Sequence, residues 1–157
     1  MKKIIISLAL ALFLFNVYAQ EKKETSEPEK QVNAPEAVKK AFVANYPAIS
    51  KVKWSLEKQG EYEAEFELNK AEMSVLYDEN GMLVETETVI KDSDLPEAVK
   101  SALTKDFAGY KITEIEKTDA KGVVTYEIEA KKGNLEYELI FDANGRLLKQ
   151  KEEKDID

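Results

Sequence analysis

The chain has 157 residues, with 31 acidic against 23 basic side chains, a formal net charge of −8, no histidine and no cysteine. Without histidine it lacks the usual general base near neutral pH and the commonest metal ligand, and without cysteine it lacks thiol nucleophiles, disulfides and thiolate zinc sites. The acidic balance repels phosphate backbones and anionic headgroups, which argues against nucleic acid and membrane surfaces as partners.

The first 19 residues have the three parts of a secretory signal: Lys2 and Lys3, an apolar run from Ile4 to Phe15, and Val17-Tyr18-Ala19 ahead of a cleavage point before Gln20. The apolar run is shorter than the ~20 residues of a spanning helix, so removal is expected rather than retention as an anchor. No membrane insertion is expected after that, and the periplasm is the expected compartment. Residues 20–32 are charged, contain Pro28 and lack apolar periodicity, which reads as a disordered tether. The last residues, 152–157, are expected to fray.

Between these ends, residues 33–151 state one pattern twice, over 33–91 and 92–151. Pro35-Glu36-Ala37-Val38-Lys39-Lys40-Ala41 recurs as Pro96-Glu97-Ala98-Val99-Lys100-Ser101-Ala102. Each run predicts a helix, with Asn33 and Asp94 as capping side chains, Glu36 and Glu97 three residues later, and a proline in the first turn. Val38, Phe42 and Tyr46, and likewise Val99, Leu103 and Phe107, form an apolar stripe on each helix. Pro47 and Gly109 close the two helices.

The period then changes from about four to two, which predicts strands. Val52, Trp54 and Leu56 alternate with polar residues, whereas the odd spacing of Ile112 and Ile115 predicts a bulge. Tyr62, Ala64, Phe66 and Leu68 alternate with glutamates, and Tyr126, Ile128 and Ala130 do the same. Met73, Val75 and Tyr77, and Leu135 to Phe141, follow as further strands. Asp78-Glu79-Asn80-Gly81 and Asp142-Ala143-Asn144-Gly145 sit between alternating segments, so they read as tight turns with positive φ at glycine. A calcium loop needs ligands spread over about a dozen residues and a closing glutamate. The expected architecture is α+β: two tandem helix-plus-antiparallel-strand repeats sharing one sheet and one core in a two-layer domain.

Val124-Thr125-Tyr126-Glu127-Ile128-Glu129, followed by Tyr137 to Leu148 with its Asp142-Ala143-Asn144-Gly145 turn, resembles the PepSY signature. With the preceding Leu95-Pro96-Glu97-Ala98-Val99-Lys100 helix start, the segment from Asn33 to Lys151 resembles the PepSY-like exported proteins. The resemblance implies a β-lactamase-inhibitor-like fold, export, and a role in restraining a hydrolase. It carries over no contact residues, since the motif consists of folding residues.

No serine occupies a Gly-x-Ser-x-Gly elbow. Paired carboxylates need burial to act as general acids, and the strand glutamates read as outward and kept ionised by water. The chain is therefore expected not to be an enzyme, and no cofactor or metal site is assigned. Two features remain as candidate partner-binding positions. Glu63 and Glu65, with Glu127 and Glu129, form outward acidic rows that discourage edge pairing by charge or face a cationic partner. Trp54, with Lys117 at the matching place in the second repeat, is either core or an anchor. The leading functional reading is a non-catalytic periplasmic module that binds an exported or envelope protein or peptide, as an inhibitor or regulator of an exported hydrolase. The alternative is an acidic envelope stress or cation-buffering protein without a defined site.

Overall fold

The computed structural model describes residues 32–154. The expected signal segment 1–19 and the tether up to residue 31 lie outside the described residues, as do residues 155–157. The elements run α1 (Glu36–Asn45), β1 (Lys53–Lys58), β2 (Glu61–Leu68), β3 (Ala71–Asp78), β4 (Leu83–Val89), a single 3-10 turn (Asp92–Asp94), α2 (Glu97–Asp106), β5 (Lys111–Ala120), β6 (Val123–Lys132), β7 (Leu135–Asp142) and β8 (Leu147–Lys154). All eight strands form one antiparallel sheet in sequence order, so β1 and β8 are its edges and β4 pairs with β5 at its centre. β8 runs three residues past the expected end of the domain, and the Val32 N–H donates to the Trp54 carbonyl (3.1 Å).

Both helices cover one face of the sheet, but they bury two cores rather than the single shared core expected. Val38 and Phe42 of α1 pack on Trp54, Ala64, Phe66, Val75 and Tyr77. Val99 and Leu103 of α2 pack with Phe107 on Ile115, Tyr126, Ile128, Ala130, Leu139 and Phe141. The reason lies in the helices, whose ten residues reach only about 15 Å. Eight strands spaced roughly 4.8 Å apart make a wider surface than either helix can cover. Between the two clusters, β4 and β5 present Thr86, Thr88, Lys117 and Asp119 on the helix side, which are too polar to bridge them.

The helix starts differ from expectation. Pro35 and Pro96 take the capping positions, and neither helix has a side-chain cap; the Asn33 side chain instead accepts from Lys39, and Asp94 belongs to the 3-10 turn. The predicted bulge is present as a register shift between Ile112 and Glu114. Gly81 and Gly145 have φ of 81° and 79° in the β3–β4 and β7–β8 turns. Each turn is held by its aspartate. Asp78 Oδ1 accepts from the Asn80 and Met82 amides at 2.9 Å, and Asp142 Oδ1 accepts from the Asn144 and Arg146 amides at 2.9 and 3.0 Å. A second requirement was not visible in the motif: a Cβ at Gly81 or Gly145 would meet the Ala37 or Ala98 carbonyl oxygen at 2.6 or 2.4 Å. These turns are where the helices rest on the sheet, so glycine serves both the turn and the docking.

Candidate functional site: the open face of the sheet

The pleat sends alternate residues of each strand to the face away from the helices. The register places Ser55, Glu63, Leu76 and Glu85 in one row across β1 to β4. The next row runs Lys53, Glu65, Ser74, Glu87, Thr118, Thr125 and Asp142 across β1 to β7. A third joins Val89, Glu116, Glu127, Ile140 and Lys149, and a fourth Glu114, Glu129, Glu138 and Lys151. The four candidate glutamates therefore do share one face, as the alternation implied.

Their environment corrects the expectation that water surrounds them. Glu63 is only 5% exposed and Glu127 9%, and Glu85, Glu87 and Glu116 are equally buried, although neither helix lies over them. A twisted sheet of eight strands curls, and side chains on its inner side crowd one another away from solvent. Glu65 and Glu129, on the flanks of the rows, stay half-exposed. Glu65 pairs with Lys53 at 3.0 Å.

Burial favours the neutral carboxyl, and neighbouring carboxylates add to the effect. Desolvation, reinforced by Glu57, Glu87 and Glu65, pushes Glu63 up to about 7, against hydrogen bonding from Ser74; Ser55 Oγ also donates to Glu63 at 3.1 Å. Desolvation and Glu87 raise Glu85 to about 7. Glu127 is pushed up to about 8 by desolvation, then by Glu138 and Glu87, with Lys149 opposing. Glu116 is pushed furthest, to about 9, by desolvation followed by Glu87, Glu127, Glu114 and Glu129. Every charged neighbour acting on Glu116 is acidic. It makes no hydrogen bond or ion pair among the described residues.

Trp54 lies on the other side of the sheet. It is 8% exposed and meets Phe42 edge-on at 5.4 Å, which takes it out of reach of a partner on the open face. Its counterpart also changes. Trp54 pairs with Ala64 and Ile115 with Ile128, so the matching residue is the buried Ile115 rather than Lys117. Alternation alone singles out none of Glu85, Glu87, Glu114 and Glu116; the pairing of β4 with β5 brings Glu87 near Glu116, and that of β5 with β6 sets Glu114 and Glu116 opposite Glu129 and Glu127.

The relief of the face is shallow where it is described. A recess lined by Glu57, Glu63, Ser74, Leu76, Glu85 and Glu87 has a volume of about 10 Å³, room for one water, whereas small-molecule pockets run to several hundred Å³. Among the described residues no group of three or more acidic side chains is arranged to hold a metal ion, and no helix is long and apolar enough to cross a membrane.

The PepSY-like family model, provisionally described as beta-lactamase-inhibitor-like, matches the chain twice, over residues 19–85 and 84–149. The chain belongs to the PepSY-like family. Solved structures agree on the fold. A protein provisionally described as periplasmic, from Bacteroides eggerthii, superposes with a TM-score of 0.73 at 21% identity, over 77% of this chain and 90% of that one. A DUF2874 family protein from Bacteroides ovatus gives 0.71 at 24% identity, over 77% and 89%. A BLIP-like protein from Bacteroides fragilis gives 0.67 at 22% identity, over 80% and 91%. No curated protein matches the sequence. This PepSY-like chain thus has the β-lactamase-inhibitor-like fold, dominated by one eight-stranded antiparallel sheet with two helices on one side.

Proposed function

We propose that the chain is a non-catalytic binding module of the periplasm, built as two tandem helix-plus-strand repeats, whose open sheet face engages an exported protein or peptide and restrains a hydrolase. The observation that carries this reading is the open face itself: a broad, shallow, polar surface whose buried carboxylates are left short of cations. Like charges directly opposite across a sheet destabilise it, so such a face gains most from an arriving counter-charge. The beta-lactamase-inhibitor-like description of the family supports the restraint of a hydrolase. In this reading Glu63 and Glu65, with Glu127 and Glu129, are contacts along the rows. Raised carboxyls could serve acid catalysis elsewhere, but catalysis also needs a concave site to hold the substrate, and the relief at Glu63 and Glu85 accepts only a water.

The test is crosslinking in the intact envelope. A photo-crosslinking side chain at position 65, on the open face, is expected to capture one protein, and the same group at position 43, exposed on α1, is not. Capture from position 43 alone would overturn the reading. The net charge of −8 favours a second reading, cation buffering without a defined site. Stoichiometric heat on titration with calcium or magnesium would favour it, and no heat would remove it.

A further inference from the structure

Glu116 has an unusual position. It is 93% buried, it faces the open side of the sheet on β5, one of the two central strands, and it has no donor or cation among the described residues. Buried carboxylates are ordinarily paired, because an unpaired one is costly to desolvate. On β6, Glu127 stands directly opposite it, which places the two carboxylate-bearing Cβ atoms about 5 Å apart. On β4, Glu87 lies one diagonal step away, with Ser74 Oγ donating to it at 2.9 Å. Glu114 on its own strand and Glu129 on β6 complete its acidic neighbours, and Glu138 and Lys149 act on Glu127 from β7 and β8. The only basic group in that set, Lys149, already donates to Glu138 at 2.6 Å.

Resting on the reading of the open face as a docking surface, we infer that Glu87, Glu116 and Glu127 form a receptor for one arginine side chain of the protein partner. Three carboxylates on three adjacent strands suit a planar guanidinium, whose five donors fork to more than one acceptor. Guanidinium is also more weakly hydrated than ammonium, so it enters a desolvated site at less cost than lysine. Binding exchanges charge for charge. The neutral Glu116 carboxyl gives its proton to the buffer and its carboxylate accepts the guanidinium N–H, so the bound pair carries no new net charge. The partner is thus recognised by an arginine presented from a loop or extended strand, and its capture is favoured as pH rises from 6 to 8.

The test titrates the purified protein with blocked arginine (N-acetyl-arginine amide) and, in parallel, with its citrulline counterpart, which has the same shape without the charge. The expected result is a saturable set of carboxyl and amide NMR shifts centred on Glu87, Glu116 and Glu127, tighter at pH 8 than at pH 6. Citrulline is expected to leave these signals in place. Calorimetry in two buffers of different ionisation enthalpy is expected to read release of roughly one proton per arginine at pH 8. E116Q is expected to weaken binding about ten-fold or more, as loss of a charged acceptor does. E97Q, exposed at the start of α2 on the other side of the sheet, is expected to leave binding unchanged and serves as the control. Equal effects of arginine and citrulline, shifts spread evenly over exposed acids such as Glu65, or an E116Q variant that binds as before would overturn the inference. If any of these occurs while position 65 still captures a partner in the envelope, the arginine receptor falls and the docking surface stands.

Discussion

The two ends of the open face carry the same glutamates against different neighbours. Residues 62–87 align with 126–151 without a gap, so Glu63 matches Glu127 and Glu65 matches Glu129. The fourth strands differ: Glu85 and Glu87 of β4 correspond to Lys149 and Lys151 of β8. β8 is an edge, and Lys149 there lies beside Glu138 and lowers the cost of ionising Glu127. β4 is central, and its Glu87 lies a diagonal step from Glu116 across the seam. The first strands differ as well. Ser55 donates to Glu63, whereas Glu116 stands in the same relation to Glu127. One half therefore has its acids tempered by lysine at the rim, whereas Glu116 in the middle of the sheet has only acidic charged neighbours. Two regions that match the same family model can carry identical side chains in opposite electrostatic surroundings, because only the second region's last strand lies at an edge.

The scaffold common to both halves should yield the largest effects. Gly145→Val and Gly81→Val each combine backbone strain at positive φ with a collision against a helix carbonyl, and each is expected to cost about 3–5 kcal/mol. Urea melts check this, with Gly145 at least as sensitive as Gly81 because its contact is closer. Equal and small losses would show that the helices do not rest on these turns.

The acidic middle should appear next, as pH dependence. Glu63, Glu85, Glu116 and Glu127 have folded-state values raised from 4.5 to between about 7 and about 9. The folded protein thus holds protons that the unfolded chain has released, and stability falls as pH rises through this window. The melting temperature is expected to be higher at pH 5 than at pH 9 by about 5–10 °C, a shift of a few kcal/mol for a domain of this size. Scanning calorimetry across that range reads it directly.

Two substitutions separate the middle from the rim. Glu116→Gln removes an unpaired buried charge, and is expected to stabilise the protein by about 1–2 kcal/mol at pH 9 and hardly at all at pH 5. Lys149→Gln removes the rim cation, and is expected to destabilise by about 0.5–1 kcal/mol at pH 7 while moving the Glu127 titration upward. Opposite signs in a single set of melts at pH 8 would establish the contrast.

Much of the scaffold was legible because it rests on local patterns. Period-two alternation located β1 to β3, β6 and β7, the odd spacing of Ile112 and Ile115 located the bulge, and Asn-Gly located both turns, whereas β4 and β8 carry no such alternation signal. The candidate site was only half legible. Alternation says which side of a strand Glu63 and Glu127 occupy, but not whether that side is curled closed, since curvature arises from twist accumulated over eight strands. The place of Glu116 needed the β4–β5 pairing, which no local pattern encodes. The match of Trp54 with Ile115 is hidden from a count along the strands, because 13 residues separate Ile115 from its partner Ile128 and only 10 separate Trp54 from Ala64. The two separate cores follow from helix length set against sheet width, a comparison between elements rather than within one.

The account stands or falls on whether the middle of the open face is a desolvated row of carboxyls. Carbon-13 NMR of the glutamate side-chain carboxyls, followed from pH 4 to pH 10, measures this directly. The account predicts that Glu116 titrates latest, with a midpoint of about 9, ahead of Glu127 at about 8 and Glu63 at about 7 in order of displacement. A Glu116 midpoint near 4.5 would contradict it, because the face would then be wetted and the seam would hold no special place in the fold.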